Sequence, residues 1–167
     1  MILVASDFVT VFEIARGSNG VLAGEVFRLL VGIAALIGGV TALIFQSRNN
    51  GLKGWLGPVF ITAWSLLWLY LHNFPYVFGH INSLVRAYRD GQYQVAEGQV
   101  QVLHEQPATG HTRGDIITVN GKQFEVNYFY ATPAYRNTLV HGGVLQSGVY
   151  ARLYYYNGEI LRVDIRK

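Results

Sequence analysis

The sequence contains no cysteine, which excludes disulfide scaffolds, zinc ribbons and thiol nucleophiles. It also lacks a glycine-rich phosphate loop, a G-x-S-x-G elbow, an H-E-x-x-H pair and an Asp-rich calcium loop, so no common catalytic signature is present. A positively charged leader is missing too. Asp7 and Glu13 precede the first basic residue, Arg16, so the start does not read as a cleaved secretory signal. Finally, the second half has no excess of positive charge: residues 91–167 carry seven Lys/Arg against six acids. That near-neutrality argues against a phosphate-backbone footprint and hence against a nucleic-acid partner.

Apolar residues, by contrast, are in excess. They make up 51% of the chain, above the roughly 45–50% of ordinary soluble domains, and they concentrate before residue 82. The composition boundary predicts an N-terminal interfacial segment over 1–25, a two-helix transmembrane hairpin over 26–81, a helical connector over 82–92 and a β domain over 93–167. Residues 29–45 (LLVGIAALIGGVTALIF) are uncharged, and with Val26 and Phe27 they reach the roughly 20 residues needed to span hydrocarbon. Residues 55–71 (WLGPVFITAWSLLWLYL) are likewise uncharged, and the run continues to a predicted end between His72 and Ile81. Ile2, Leu3, Val4, Phe8, Val9, Val11, Phe12 and Ile14 suggest an interfacial helix before the hairpin.

Small residues recur four apart at Ala34–Gly38, Ala35–Gly39 and Gly38–Ala42, a spacing that lets helices approach closely in lipid. They serve either the chain's own second helix, the favoured reading, or self-association through Ala34, Ala35, Gly38 and Gly39. His72 and His80 read as solvated interfacial histidines in preference to a proton relay. Arg16, Arg28, Arg86 and Arg89 flank the hairpin on one side, against Arg48 and Lys53 in the loop between the helices. This charge bias orients the β domain to the cytoplasm, with the chain integral to the inner (plasma) membrane.

Strand signals take over after residue 92. Residues 93–104 alternate, with Gly98 as a bulge or bend; 116–119 and 124–128 flank Asn120-Gly121, and 150–156 and 160–165 flank Asn157-Gly158. Asn-Gly is the strongest short hairpin signal. Between the two hairpins, Thr132-Pro133 opens a predicted short helix that His141-Gly142-Gly143 ends. The resulting β-β-β-α-β-β order is that of a five-stranded OB-like barrel, with an SH3-like or open sheet as the rival arrangement.

Within this domain His111, His141, Gly142, Gly143, Arg152 and Arg162 are the candidate binding residues. His104, His111 and His141, with Glu105 or Asp115, carry metal-ligand chemistry, but their spacing is not diagnostic, and no metal or other cofactor is expected. Gly142-Gly143 reads first as a helix C-cap and second as a backbone approach to a ligand. Arg152 and Arg162 form either an anion site or cross-strand pairs with Glu159 or Asp164, the latter preferred. Tyr154, Tyr155 and Tyr156 are similar to the aromatic platform on which OB domains stack bases, although the domain's near-neutral charge supplies no electrostatic funnel.

The run YRDGQYQVAEGQV at 88–100, Pro107, Gly110-His111, Phe124, Thr132-Pro133, Thr138, the HGG at 141–143, Gly148 and RLYYYNGEILRVDI at 152–165 together resemble an uncharacterised bacterial family of membrane-anchored proteins. The chain departs from that pattern at Asn157-Gly158 and at Asn127-Tyr128. The resemblance implies a C-terminal β domain and brings no activity with it. The layout is also similar to the NfeD-like membrane proteins, which resemble protease adaptors or scaffolds. These features lead to the expectation of a non-enzymatic, membrane-anchored binding or scaffold module, with the lipid bilayer and a protein as partners. An accessory subunit of a larger membrane complex, or an enzyme with a His-lined site, are the alternatives.

Overall fold

A computed structural model describes residues 7–48 and 54–167, which divide into two compact units: a sheet unit (residues up to Val21, and Ile81–Lys167) and a helical unit (Leu22–His80). Residues 1–6 of the expected interfacial segment, and Lys53 with the rest of 49–53, lie outside the described residues.

The sheet unit is built on two hairpins whose turns are fixed locally. Strands β3 (Asp115–Val119) and β4 (Lys122–Val126) are joined by Asn120 (φ 48°) and Gly121 (φ 74°). Strands β5 (Tyr150–Tyr156) and β6 (Glu159–Arg166) are joined by Asn157 (φ 50°) and Gly158 (φ 84°). Two consecutive positive φ values are the signature of a type I′ turn, whose twist matches that of the flanking strands, and Asn-Gly adopts it at least cost. Strand β2 (Gln94–His104) links the hairpins: it pairs with β5 through Gln99 and with β3 from Val100 onward. Gly98 sits at this handover, while the register break in β2 falls later, between Val102 and His104.

The closed barrel expected from the sequence does not form. The sheet is open and antiparallel, in the order β1-β6-β5-β2-β3-β4, and β4 and β6 do not pair. A sixth strand takes the free edge of β6. This is β1 (Phe8–Glu13), in register from Phe8 opposite Arg166 to Glu13 opposite Arg162, within the segment expected to be an interfacial helix. Its FVTVFE composition is β-branched and aromatic, and an exposed edge is the feature such a strand satisfies. The expected helix between the hairpins shrinks to one 3-10 turn, Leu139–His141, capped by Gly142 at φ 81°.

The core inside the curled sheet comprises Val100, Ile117, Val119, Phe124, Leu153 and Val163, all buried, with Phe12 of β1 edge-on to Tyr135 at 5.3 Å. A second cluster joins Ile14, Leu84, Ala134 and Leu161, so the residues just after β1 and on the last helix help to close the domain. Tyr88 donates to Glu13 Oε1 at 2.7 Å. Burial, and then the Glu13 carboxylate, push the Tyr88 hydroxyl above the usual phenol range, which keeps it a donor.

In the helical unit, helix α1 (Ile14–Arg48) supplies its middle and end, and α2 (Leu56–His72) follows. The stretch Ser18–Gln46 is long and apolar enough to cross a membrane, and only 11% of its most apolar window is buried. The second predicted span is interrupted. Asn73 adopts the left-handed conformation (φ 44°) and closes α2, and α3 (Phe74–Arg89) restarts with Pro75 in its first turn, where proline is tolerated. At 17 residues α2 is about 25 Å long, shorter than the roughly 30 Å of hydrocarbon.

The α1–α2 seam is small and polar. Glu25, Gly32 and Gly39 are buried at seven-residue spacing. A Cβ on Gly32 would meet the Leu69 side chain at 2.8 Å; one on Gly39 would meet Thr62 Oγ1 at 2.5 Å and its backbone nitrogen at 3.0 Å. The facing hydroxyls of Thr62 and Ser65 donate to Pro58 and Ile61 carbonyls of their own helix, so neither donor is left unpaired in the seam. Gly38, by contrast, faces open space.

Two measurements test these assignments. Gly39→Leu should lower the stability of the helical unit in detergent by about 1–3 kcal/mol through overpacking, whereas Gly38→Leu should leave it unchanged; equal effects would contradict the seam. Phe12→Ala should cost the sheet unit up to about 3 kcal/mol in chemical denaturation, since it removes the aromatic by which β1 reaches the core. An unchanged midpoint would mean that β1 is dispensable.

Candidate functional site

His141 is the most firmly held of the candidate residues. Its Nδ1 lies 2.7 Å from the Thr138 hydroxyl, which is fully buried, and its ring stacks on Tyr128 at 3.8 Å with 5° between the planes. Phe129 meets the same imidazole edge-on at 5.9 Å, and the Arg136 guanidinium lies 5.8 Å from the Tyr128 ring.

Behind this cluster is a buried polar frame. Asp115 is 2% exposed and accepts from the backbone nitrogens of Gln106 (2.7 Å) and Leu139 (2.6 Å). Gln106, wholly buried, accepts from the Tyr128 nitrogen, and Asn127 accepts from the Phe129 nitrogen. A satisfied network of this kind rigidifies the loops that carry it. Its outer surface is apolar: Phe129 and Tyr130 are about half exposed, as is Val140. Thr138, wholly buried, holds the imidazole from behind through its hydroxyl.

The two glycines after His141 have separate tasks. Gly142 supplies the left-handed cap of the 3-10 turn. Gly143 sits where a Cβ would run into the Asn137 and Thr138 carbonyls, so backbone contact accounts for it. His111 is exposed in the loop before β3. Among the described residues no group of three His, Asp or Glu side chains is arranged to share a metal ion.

Arg152 and Arg162 lie apart from the histidine cluster, on the outer face of the sheet. Arg152 pairs with Glu97 across to β2 at 2.7 Å and lies 4.2 Å from the Phe8 ring. Arg162 pairs with Asp164 along its own strand at 2.8 Å, donates to Thr10, and covers Tyr154. The preferred partners were Glu159 and Asp164; Asp164 is used by Arg162, whereas Glu159 accepts from Thr132. Asp164, its side chain 3% exposed, is thereby neutralised on a face that also carries Arg166 over Tyr150 at 4.1 Å.

Sequence reasoning missed Glu25. Its side chain is 4% exposed within the helical unit, where Arg28 donates to Oε1 and His72 Nε2 lies 3.3 Å from Oε2. His72 is itself held between Trp68 (5.1 Å) and Phe74 (4.6 Å), so it is not the freely solvated histidine expected. The available signal was positional: a Glu25/Arg28 pair before the first apolar run and a histidine after the second meet when two helices fold back on each other. Buried ionisable groups in apolar helices are costly and persist only when paired.

Compared with protein-family models, with curated proteins and with solved structures, the chain matches none.

The Glu97–Arg152 pair yields a pH test. Hydrogen bonding from Arg152 holds the Glu97 carboxyl below the usual carboxylate range. A carboxyl more acidic when folded than when unfolded stabilises the fold fully above that range, and the contribution fades as pH falls through it. Between about pH 7 and about pH 3 the melting temperature should therefore fall less in Arg152→Gln than in the parent chain; parallel curves would show that the pair contributes nothing.

Proposed function

We propose that the chain is a membrane-anchored, non-enzymatic binding module that presents an OB-like sheet domain to a protein partner. The observation that carries this reading is the patch formed by Tyr128, Phe129 and Tyr130 around His141. Large aromatics exposed together, yet fixed from behind by Asp115, Gln106 and Thr138, are the composition and preorganisation of an interaction hot spot. The imidazole is taken up by the Thr138 hydroxyl and the Tyr128 ring, and the Tyr130 hydroxyl by Glu125, an arrangement that favours recognition over covalent chemistry.

The remaining parts of the proposal follow from the anchor. α1 and α2 cross the inner membrane as a hairpin, α2 being lengthened by the interfacial residues that flank it, and the Arg16, Arg28, Arg86 and Arg89 bias puts the sheet unit in the cytoplasm. The order β4-β3-β2-β5-β6 is the connectivity of an OB domain left open by the arrival of β1, which supports the OB-like description and the likeness in layout to NfeD-like scaffolds. An accessory role within a larger membrane complex is the second reading. It is favoured by one observation: Ala34 and Gly38 face away from the α1–α2 seam, leaving a small-residue face free for another helix.

Purification of the full chain in mild detergent, with mass spectrometry of what accompanies it, tests the proposal. A Tyr128→Ala/Phe129→Ala variant that folds as the parent does should recover at least about tenfold less of a specific protein, as expected when hot-spot aromatics are truncated. Unaltered recovery would remove the patch from the binding surface. Loss only on Gly38→Leu would transfer the role to the helices.

A further inference from the structure

A groove of roughly 640 Å³ opens where the start of β2, the start of β4 and the β5–β6 turn come together, lined by Tyr93, Gln94, Lys122, Tyr155, Tyr156 and Asn157 among others. Its size lies within the roughly 300–1,000 Å³ of small-ligand sites. The His141 patch contributes nothing to its lining.

Its rings are fixed before any ligand arrives. Tyr93 stacks on Tyr88 at 5.8 Å and meets Tyr154 edge-on at 5.2 Å; Tyr155 meets the buried Phe124 edge-on at 4.9 Å. Tyr156 rests against the Ile14–Leu84–Leu161 cluster. The register shift leaves the extra residue, Leu161, on β6, so β5 keeps its alternation: Tyr154 serves the arginine face and Tyr155 the opposite one, and Tyr155 and Tyr156 line the groove.

The polar lining is uncommitted. Gln94 and Asn157 are exposed, and among the described residues their side chains take no hydrogen-bond partner. Lys122 has no acidic partner there either; its ammonium lies 5.5 Å from the Tyr155 ring, and no acid lines the groove.

We propose that this groove binds an acidic sugar, a hydroxyl-rich ring carrying one carboxylate. The C–H face of a pyranose packs on a fixed aromatic ring. Sugar hydroxyls, each both donor and acceptor, match carboxamides, which are also both. A single lysine neutralises a single carboxylate by a charge-assisted bond. A nucleic acid would need several cations in a row, and the groove has one.

Isothermal calorimetry on the full chain in detergent micelles tests this with three probes: a tetrasaccharide containing glucuronic acid, an uncharged tetrasaccharide of N-acetylglucosamine, and an oligothymidylate. Saturable binding of the acidic tetrasaccharide, stronger than that of the neutral one, is expected. Lys122→Met should abolish the preference by weakening the acidic probe at least about tenfold, a loss of roughly 1.4 kcal/mol. Gln94→Ala should weaken both sugars, and circular dichroism should show both variants folded. No saturable binding of the acidic tetrasaccharide at millimolar concentration, binding indifferent to both substitutions, or preference for the oligothymidylate would each overturn the proposal. Because the probes are free sugars, these outcomes are independent of whether the aromatic patch captures a protein.

Discussion

The pairing of β1 with β6 is the constraint on which the sheet unit depends. Without it, β6 would present a row of unpaired N–H and C=O groups, which must find partners or water and which template aggregation when they do not. β1 supplies those partners from Phe8 to Glu13, and the Lys167 nitrogen donates to the Asp7 carbonyl at 2.9 Å, which continues the pairing past the end of β6. Ile14, which follows β1 and begins α1, is wholly buried against Leu84 and Leu161. The long helix therefore starts from a fixed point in the domain core. The same pairing occupies the β6 edge, so the sheet ends on β1 at one side and on β4 at the other.

What was legible in the sequence was what is decided locally. The two Asn-Gly turns need only two residues with positive φ, and their own chemistry provides it, so both hairpins were readable from four residues. β1 was not readable in this way. Its partner lies about 150 residues on, as the Arg162–Thr10 hydrogen bond shows, and no local pattern announces such a pairing. The apolar spacing of this short segment suggests an interfacial helix, whereas its β-branched and aromatic content suits a strand. The expected helix over 132–141 failed for the opposite reason. Thr132 bonds Glu159, the Tyr135 nitrogen donates to the Ile160 carbonyl, and the Leu139 nitrogen is held by Asp115, so tertiary partners claim the groups a helix would have used.

The helices show the same division. Their apolar character was plain from composition, but composition does not reveal which positions face which neighbour. Of the small residues singled out, Gly39 lies in the seam while Gly38 faces outward, and Gly32, which the four-residue spacing did not include, closes the other contact. The operative period is seven, the repeat of two helices that keep one stripe in contact. Asn73 and Pro75, which break the second run, lie inside an uncharged stretch whose hydropathy does not distinguish one helix from two.

Rigid sites recur wherever a polar group has been buried and satisfied. Asp115 beneath the His141 patch, Asp164 beneath the arginine face and Glu25 in the helical unit are each nearly inaccessible carboxylates, each answered by named donors. A buried carboxylate adds little net stability once its desolvation is counted, and apolar replacements of similar volume are often neutral or better. What it adds is a directional demand: Asp115 tolerates one arrangement of the Gln106 and Leu139 backbone, and that arrangement holds Tyr128 and His141 in stacking contact. An unsatisfied member would cost more than the whole network contributes, so the loops cannot relax piecemeal. The surface groups that remain uncommitted, the aromatic rim around His141 and Lys122 with its neighbouring amides, are thus mounted on frames that have already lost their conformational freedom during folding, and a ligand or partner that meets them has little further ordering to impose.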